Sequence, residues 1–232
     1  MKLKMRSNAL LLCLGFGLVA SAQAAELGWY GVGFGGESSA SGISQSQTDE
    51  NLVASFESVG LAVVDFTSTL DDSDTGFGFA GGYQLNDHFA MEFAYVDLGS
   101  VDYRASATVS DGVDEVDADV GFESSANGPV LSVLGILPIG ERFSLFGRVG
   151  LSLLNADGTV RIALDGISQR ASPSSQKSDP MLGVGAELSL SKHFAIRLAW
   201  DRYFDVGTEN VTGDVDADLI TLGVRMGLGW FR

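Results

Sequence analysis

The sequence predicts an all-β protein: an eight-stranded antiparallel up-and-down transmembrane β-barrel with short periplasmic turns and long extracellular loops. Three observations lead to this prediction: a leader for export, strict alternation of large apolar residues with small ones, and a repeated turn motif. Of the 232 residues 45% are hydrophobic, which excludes a disordered chain despite a net charge of −16. That charge also argues against a nucleic-acid partner, because binding one requires Lys and Arg.

The first 24 residues have the pattern of a secretory signal peptide. Three basic residues precede an apolar stretch at residues 9–20, and an Ala-Gln-Ala cleavage motif ends at Ala24. This stretch is too short for a transmembrane helix. We therefore expect residues 1–24 to be removed and residues 25–232 to form the barrel domain. The sole cysteine, Cys13, would leave with the leader, so the mature chain would hold no disulfide.

The C-terminal segment shows the alternation most clearly. From Ile220 to Trp230 every second residue is large and apolar, and the residues between them are Gly, Thr or Arg. A period of two indicates a β-strand. The residues on the second face are mostly small, and long polar side chains are rare there. This suits the inside of a narrow barrel whose large residues face lipid. The length matches the ~9–11 residues that a tilted strand needs to cross a bilayer.

The same alternation recurs in six earlier segments. In chain order they are residues 30–35, 77–85, 89–95, 143–153, 182–190 and 194–201. In the first of them, Tyr30, Val32 and Phe34 are expected to face lipid and the glycines to face the lumen. An eighth segment, Pro129–Leu137, is apolar on both faces, so the pattern does not assign its register.

A repeated motif predicts the turns. Residues 85–92, 139–146 and 190–197 each read as a strand end, a tight polar turn and a Phe that begins the next strand. The connections at the other end are long and carry 23 acidic but only 4 basic residues; they are residues 37–74, 99–128, 155–179 and 205–218. Short periplasmic turns with long outer loops are typical of outer-membrane barrels, so the predicted location is the cell outer membrane.

Four segments also have a familiar sequence: residues 28–30 (GWY), 78–83 (GFAGGY), 143–150 and 198–203 (LAWDRY). Through them the chain resembles the OmpA-like eight-stranded outer-membrane β-barrel family, over nearly all of residues 26–231. The resemblance implies contact with outer-membrane lipid and lipopolysaccharide and insertion by the barrel-assembly machinery. We expect the barrel domain only, without the peptidoglycan-binding domain that some relatives carry.

Six charged residues fall on the inward faces of the predicted strands. They are three carboxylates and three guanidinium groups: Glu92, Arg148, Glu187, Arg197, Asp201 and Arg225. Narrow eight-stranded barrels fill with side chains, and an unpaired buried charge is costly. We therefore expect a charge network that plugs the lumen. The alternative is a narrow gated ion channel or small porin, in which these charges form a switchable gate for small ions.

Aromatic residues are predicted at the two membrane interfaces. The set is Trp29, Tyr30, Phe89, Phe143, Phe194, Trp200 and Trp230. The two histidines, His88 and His193, fall in periplasmic turns and not at the outer rim. The outer rim therefore lacks the usual general base, and we expect neither enzymatic activity nor a cofactor.

The acidic loops carry the functional prediction. We expect a structural or surface-interaction role: membrane integrity, adhesion, or recognition of a host or surface ligand by the loops. Spaced carboxylates at residues 114–119 and 214–218 raise the hypothesis of weak Ca²⁺ or Mg²⁺ binding, shared with phosphorylated surface lipid. An EF-hand is excluded for the second segment, because Leu219 and Arg225 occupy the positions of the required Gly and Glu.

Overall fold

The computed structural model of the protein describes residues 27–164, 167–172, 174–206 and 215–228. The predicted signal peptide and the predicted interface residue Trp230 lie outside these residues, so both stay predictions. Within the described residues, no helix is both long enough and apolar enough to span a membrane.

Ten strands and one helix follow one another along the described residues. They are β1 (Gly28–Ser41), α1 (Gln45–Ser58), β2 (Ala62–Asp71), β3 (Ser73–Asn86), β4 (Phe89–Ser110), β5 (Glu115–Ile139), β6 (Phe143–Leu164), β7 (Ile167–Ala171), β8 (Ser174–Ser189), β9 (Phe194–Tyr203) and β10 (Asp216–Gly227).

Eight of these strands form a closed ring. Around the ring the order is β1, β3, β4, β5, β6, β8, β9 and β10, and β10 pairs with β1. Each neighbouring pair is antiparallel. Closure leaves no strand edge in the ring, so the backbone hydrogen bonds are satisfied within the sheet. The predicted fold class is confirmed.

Short turns join the ring strands at one end, where the repeated motif predicts them. Between β3 and β4 the side-chain oxygen of Asn86 accepts hydrogen bonds from the amides of His88 and Phe89, at 2.8 and 3.0 Å. Between β5 and β6, Gly140 has a φ of 72°, a backbone conformation that favours glycine. His193 lies in the corresponding turn between β8 and β9.

The two faces of each ring strand differ sharply in exposure. On β10, Leu222 is 62% exposed, whereas Leu219 is fully buried and Arg225 is 5% exposed. The outer surface of the ring therefore carries large apolar side chains, and the inner surface carries small, charged and closely packed ones. This is the arrangement of a barrel that faces lipid.

Strand β5 now has a register. Val130, Ser132 and Leu134 are buried inside the ring, whereas Leu131 and Leu137 are more than half exposed on its outer surface. Both faces of this strand are apolar because it supplies part of the lumen packing as well as part of the lipid-facing surface.

Strand β1 corrects the prediction made from its alternation. Tyr30 and Val32 are buried in the lumen, and Trp29 is the exposed neighbour. The expectations that Tyr30 and Val32 face lipid and that Tyr30 is an interface aromatic are therefore wrong. The phase is set by the neighbouring strand: Tyr30 pairs with Gly82, where any Cβ would collide with the tyrosine ring.

The long outer connections contain regular structure. Strands β4 and β5 continue as a hairpin whose turn is residues 111–114, and β6 runs on to pair with β7. Strand β2 pairs with the outer part of β4, and α1 contacts β2. We call this part the extracellular extension, defined as α1, β2, residues 100–125, residues 157–164 and β7.

Candidate functional site: the barrel lumen

A network of ion pairs crosses the lumen near the periplasmic turns. All six charged residues that the sequence places on inward faces belong to it, and each is at most 8% exposed. The pairs link every member to at least one other, through Glu92, Arg148, Glu187, Arg197, Asp201 and Arg225.

Glu92 on β4 lies at the centre of this network. Its Oε1 accepts a hydrogen bond from the hydroxyl of Tyr30 at 2.8 Å and from Nη1 of Arg197 at 2.5 Å. Its Oε2 lies 3.4 Å from Nη1 of Arg148. The carboxylate therefore joins strands on opposite sides of the lumen, and three donors compensate its burial.

Glu187 on β8 links two of the arginines. Nε and Nη2 of Arg197, its direct cross-strand neighbour, donate to Oε2 at 3.1 and 3.0 Å. Nη1 of Arg225 donates to Oε1 at 3.1 Å, and its Nη2 donates to Gln84 at 2.9 Å. Nε of Arg225 is the one buried side-chain polar atom without a hydrogen-bond partner among the described residues.

Arg148 and Asp201 form the remaining ion pair of the network. Nε and Nη2 of the arginine both donate to the carboxylate, so the pair is held at two points. Gly183 stands between them on β8, and a Cβ there would collide with both side chains. Asp201 thereby reaches the same layer as the other five residues, although the sequence places it farther from a turn.

Aromatic rings complete the charged layer. The guanidinium carbon of Arg225 lies 4.0 Å from the ring centre of Tyr30, and that of Arg197 lies 4.9 Å from the ring centre of Phe146. Such contacts stabilise a desolvated cation. Sequence reasoning missed Tyr30 as a lumen residue; the glycine opposite it, Gly82, is the signal that could have indicated it.

A second, apolar layer fills the lumen on the extracellular side of the charges. Its residues are each at most 6% exposed and lie beyond the charged residue of their own strand: Val96, Leu98, Leu154, Met181, Tyr203 and Leu219. Val96, for example, follows Glu92 by four residues, which is ~13 Å along a strand. Sequence reasoning missed this layer, because Ala and Gly interrupt the apolar pattern on the inward faces.

The free space in the lumen is small where the two layers meet. A cavity of about 10 Å³ lies beside Glu92, Arg148 and Thr221. A single water molecule needs at least ~10–15 Å³. Two larger spaces open at the mouths of the barrel: about 200 Å³ on the periplasmic side, where Glu187, Arg197 and Arg225 form part of the wall, and about 50 Å³ on the extracellular side.

Within the described residues, the predicted interface aromatics other than Tyr30 lie on the outer surface. The exposed ones are Trp29, Phe89, Phe143, Phe194 and Trp200. Trp29 makes an edge-on contact with Tyr83 at a ring-centre distance of 5.1 Å. At the other end of the barrel Phe79 stacks on Tyr95 at 6.0 Å.

The acidic residues of the extracellular extension do not gather into a metal site in the structure. In the described part of the chain, no three His, Cys, Asp or Glu side chains lie close enough to hold a metal ion. Asp111 instead closes the outermost turn, where the amides of Asp114 and Val113 hold the pKa of its carboxyl below the ordinary value. The cation hypothesis therefore has no structural support.

Comparison with known proteins places the whole barrel in a described family. The sequence model of the OmpA-like transmembrane domain matches residues 24–230. Outer membrane protein A of Serratia marcescens is 28% identical over 155 residues, which is 66% of this chain and 39% of that protein. The chain therefore spans about two fifths of the length of the curated relatives it matches.

Two solved structures are similar in outline. Neisserial surface protein A has a TM-score of 0.46 at 14% identity, with 85% of this chain and 96% of that chain covered. The N-terminal barrel domain of Pseudomonas aeruginosa OprF has a TM-score of 0.43 at 12% identity, with 89% and 98% covered.

Proposed function

The chain belongs to the OmpA-like transmembrane domain family, and on that premise we propose that it is a closed, non-conducting barrel with a structural and surface-interaction role. The protein is an outer-membrane β-barrel located in the cell outer membrane. Barrels of this family are generally non-enzymatic. The proposed role combines membrane integrity with recognition by the extracellular extension.

The main support for a closed lumen is that two side-chain layers, one charged and one apolar, follow each other along the barrel axis. The charged layer is electrically balanced and is held by hydrogen bonds between strands that are not neighbours in the ring. The cavity of about 10 Å³ beside Glu92 has no room for a hydrated ion. The side chains would thereby fix the register of the strands as well as block the lumen.

The runner-up function, a narrow gated channel or small porin, meets a second obstacle. Rearranging the ion pairs would open only the charged layer, because Met181, Tyr203 and Leu219 would still close the lumen above it. An apolar constriction blocks ions by excluding water. Gating would therefore require two unrelated layers to open together.

Conductance in planar lipid bilayers tests the closed lumen. The wild-type protein should give no reproducible channel events, and Glu187→Ala should also stay silent because the apolar layer remains. Leu222→Ala, on the lipid-facing surface, is the matched control. Reproducible wild-type conductance that changes in Glu187→Ala but not in Leu222→Ala would establish the channel instead.

The surface role is supported by the size and charge of the extracellular extension. Residues 102–110 of β4 continue ~30 Å beyond the barrel at ~3.3 Å per residue. The four long connections carry a net charge of −19, which favours basic or uncharged partners. Below the extracellular extension, the exposed apolar side chains of the ring would contact outer-membrane lipid and lipopolysaccharide. The barrel-assembly machinery would insert the barrel.

Adhesion of intact cells tests the surface role. Residues 44–60, which include α1, are replaced by a short Gly-Ser linker, because β1 and β2 on either side belong to the sheet. Weaker binding to host-surface or envelope components, at an unchanged amount of folded barrel, is the expected result. Unchanged adhesion to every surface that the wild type binds would count against recognition by the helical part of the extension.

A further inference from the structure

A cavity of about 310 Å³ opens in the extracellular extension, between α1 and the inner faces of β4, β5 and β6. Its floor is a row of directly paired residues on four neighbouring strands: Leu70, Tyr103, Phe122 and Val160. The volume lies at the lower end of the ~300–1,000 Å³ range of ligand pockets. It could hold about ten water molecules, at ~30 Å³ each, or a ligand with about that many non-hydrogen atoms.

Helix α1 is held above this floor at both ends rather than packed onto it. Near its start, Asp49 accepts hydrogen bonds from the hydroxyls of Tyr103 and Ser68, at 2.6 and 2.8 Å. Near its end, Phe56 packs against a separate apolar cluster around Val109. Between these anchors no residue of α1 is fully buried, and Leu52 lines the open space. Contacts at the two ends of the helix therefore hold the cavity open.

The chemistry of the lining selects one class of ligand. The floor and sides are apolar, whereas the helix contributes Thr48, Asn51 and Ser55, which share one helical face. None of the lining residues is charged, although the surrounding connections carry 23 acidic residues. An anion would meet both repulsion and an apolar wall, whereas an apolar cavity of this kind takes up small apolar molecules in place of water.

We propose that this cavity binds a small uncharged molecule with an apolar body and one hydrogen-bonding end, such as an alkylphenol. The apolar part would lie on Phe122, Val120 and Val160, and the polar end would face Asn51 on the helix. The proposal deepens the surface-interaction role and rests on it, but it does not depend on the lumen being closed.

Methyl NMR of the full barrel in lipid nanodiscs tests the proposal, with 4-propylphenol as the probe. We expect saturable shifts of the Ile43, Leu52, Val120 and Val160 methyl signals. The anion 4-propylbenzoate should bind at least tenfold more weakly. Val120→Phe, which fills the cavity from the sheet, should weaken 4-propylphenol binding at least tenfold, and Ser55→Phe should do the same from the exposed helix side. Val149→Phe, on the lipid-facing surface, should leave binding unchanged.

Three results would overturn the proposal. The first is a methyl chemical-shift change that grows linearly with 4-propylphenol concentration and is largest at lipid-facing methyls. Such a change would mean that the probe partitions into the bilayer. The second is equal binding by Val120→Phe, Ser55→Phe and Val149→Phe. The third is a shift of the cavity methyls with protein concentration alone, which would mean that a second copy fills the space. Cell adhesion and bilayer conductance are both measured without 4-propylphenol, so a failure here is distinguishable from a failure of the surface-interaction role or of the closed barrel.

Discussion

Arg148 on β6 and Asp201 on β9 form a two-point ion pair although strand β8 runs between their strands. The pair passes over Gly183, which is the register partner of both residues. A glycine in this strand therefore decides whether the side chains of Arg148 and Asp201 can meet.

Gly183→Ala should destabilise the folded barrel. The new methyl group would overlap both side chains, and overpacking of this kind costs about 1–3 kcal/mol. Urea unfolding in lipid vesicles measures the difference. Gly135→Ala is the matched control, because nothing lies within 4 Å of the added Cβ. Equal stability of the two variants would mean that the ion pair does not depend on the glycine.

Tyr30→Phe should weaken the barrel by removing one donor from Glu92. A hydrogen bond to a charged group contributes about 1.5–3 kcal/mol, and water entering from the periplasmic mouth would lower that figure. Tyr83→Phe, on the outer surface, serves as the control and should change the free energy of unfolding by less than about 0.5 kcal/mol. If both variants unfold at the same urea concentration, Tyr30 has no stabilising role in the lumen.

Asp49→Ala should loosen helix α1 without affecting the barrel. The carboxylate accepts from Tyr103 and Ser68. Burial together with this contact raises the pKa of the Tyr103 hydroxyl, whose ordinary value of ~10 already keeps it a donor at neutral pH. Losing both bonds should speed amide hydrogen exchange in residues 45–58 by about tenfold, which corresponds to ~1.4 kcal/mol. Glu50→Ala on the same helix is the control. Faster exchange in the barrel strands as well would contradict a local role.

Asp74 should make the contact between the outer part of β3 and the outer part of β4 sensitive to acid. Partial burial raises the pKa of its carboxyl, but hydrogen bonds from the Thr75 and Ser100 amides and the Ser100 hydroxyl outweigh that effect and hold the pKa below its ordinary value. A lowered pKa means that the contact stabilises the fold above the ordinary pKa of ~3.9 and is lost as the pH falls through the lowered one.

NMR titration of the Ser100 amide measures this effect. Its chemical shift should change with a midpoint below ~3.9, and the change should vanish in Asp74→Asn. Asp71→Asn, nearby on β2, should leave the midpoint unaltered. A midpoint at or above ~3.9 would show that the hydrogen bonds do not outweigh the burial.

The sequence predicts the ring because seven of its eight strands, all except β5, repeat a local pattern of period two. The same pattern places the six charges on inward faces, since Glu187 and Arg197 each alternate with exposed neighbours such as Leu188 and Ile196. These features depend on one strand at a time, so they can be recognised without knowing how the strands pair.

Features that depend on pairing could not be recognised in this way. The inward position of Tyr30 requires Gly82 opposite it, and the contact of Arg148 with Asp201 requires Gly183 between them. The apolar layer likewise comes from single residues on different strands, such as Met181 and Leu219. Helix α1 has no fully buried face to reveal it in the sequence.

Closure of the lumen is tested most directly by the reactivity of one buried position. Thr221 is 3% exposed and lines the cavity of about 10 Å³ between the charged and apolar layers. Because Cys13 is the sole cysteine in the sequence and falls in the predicted leader, single cysteines can be introduced at Thr221 and, as an accessible reference, at Asp111 in the outermost turn.

The measurement is the rate at which each cysteine reacts with a charged, water-soluble thiol reagent applied to either side of a lipid vesicle. The reference rate is that of Asp111→Cys with the reagent on the extracellular side. A closed barrel predicts that Thr221→Cys reacts at least a hundredfold more slowly than this reference with the reagent on either side. Reaction of Thr221→Cys within tenfold of the reference rate, with the reagent on either side, would contradict the closed lumen.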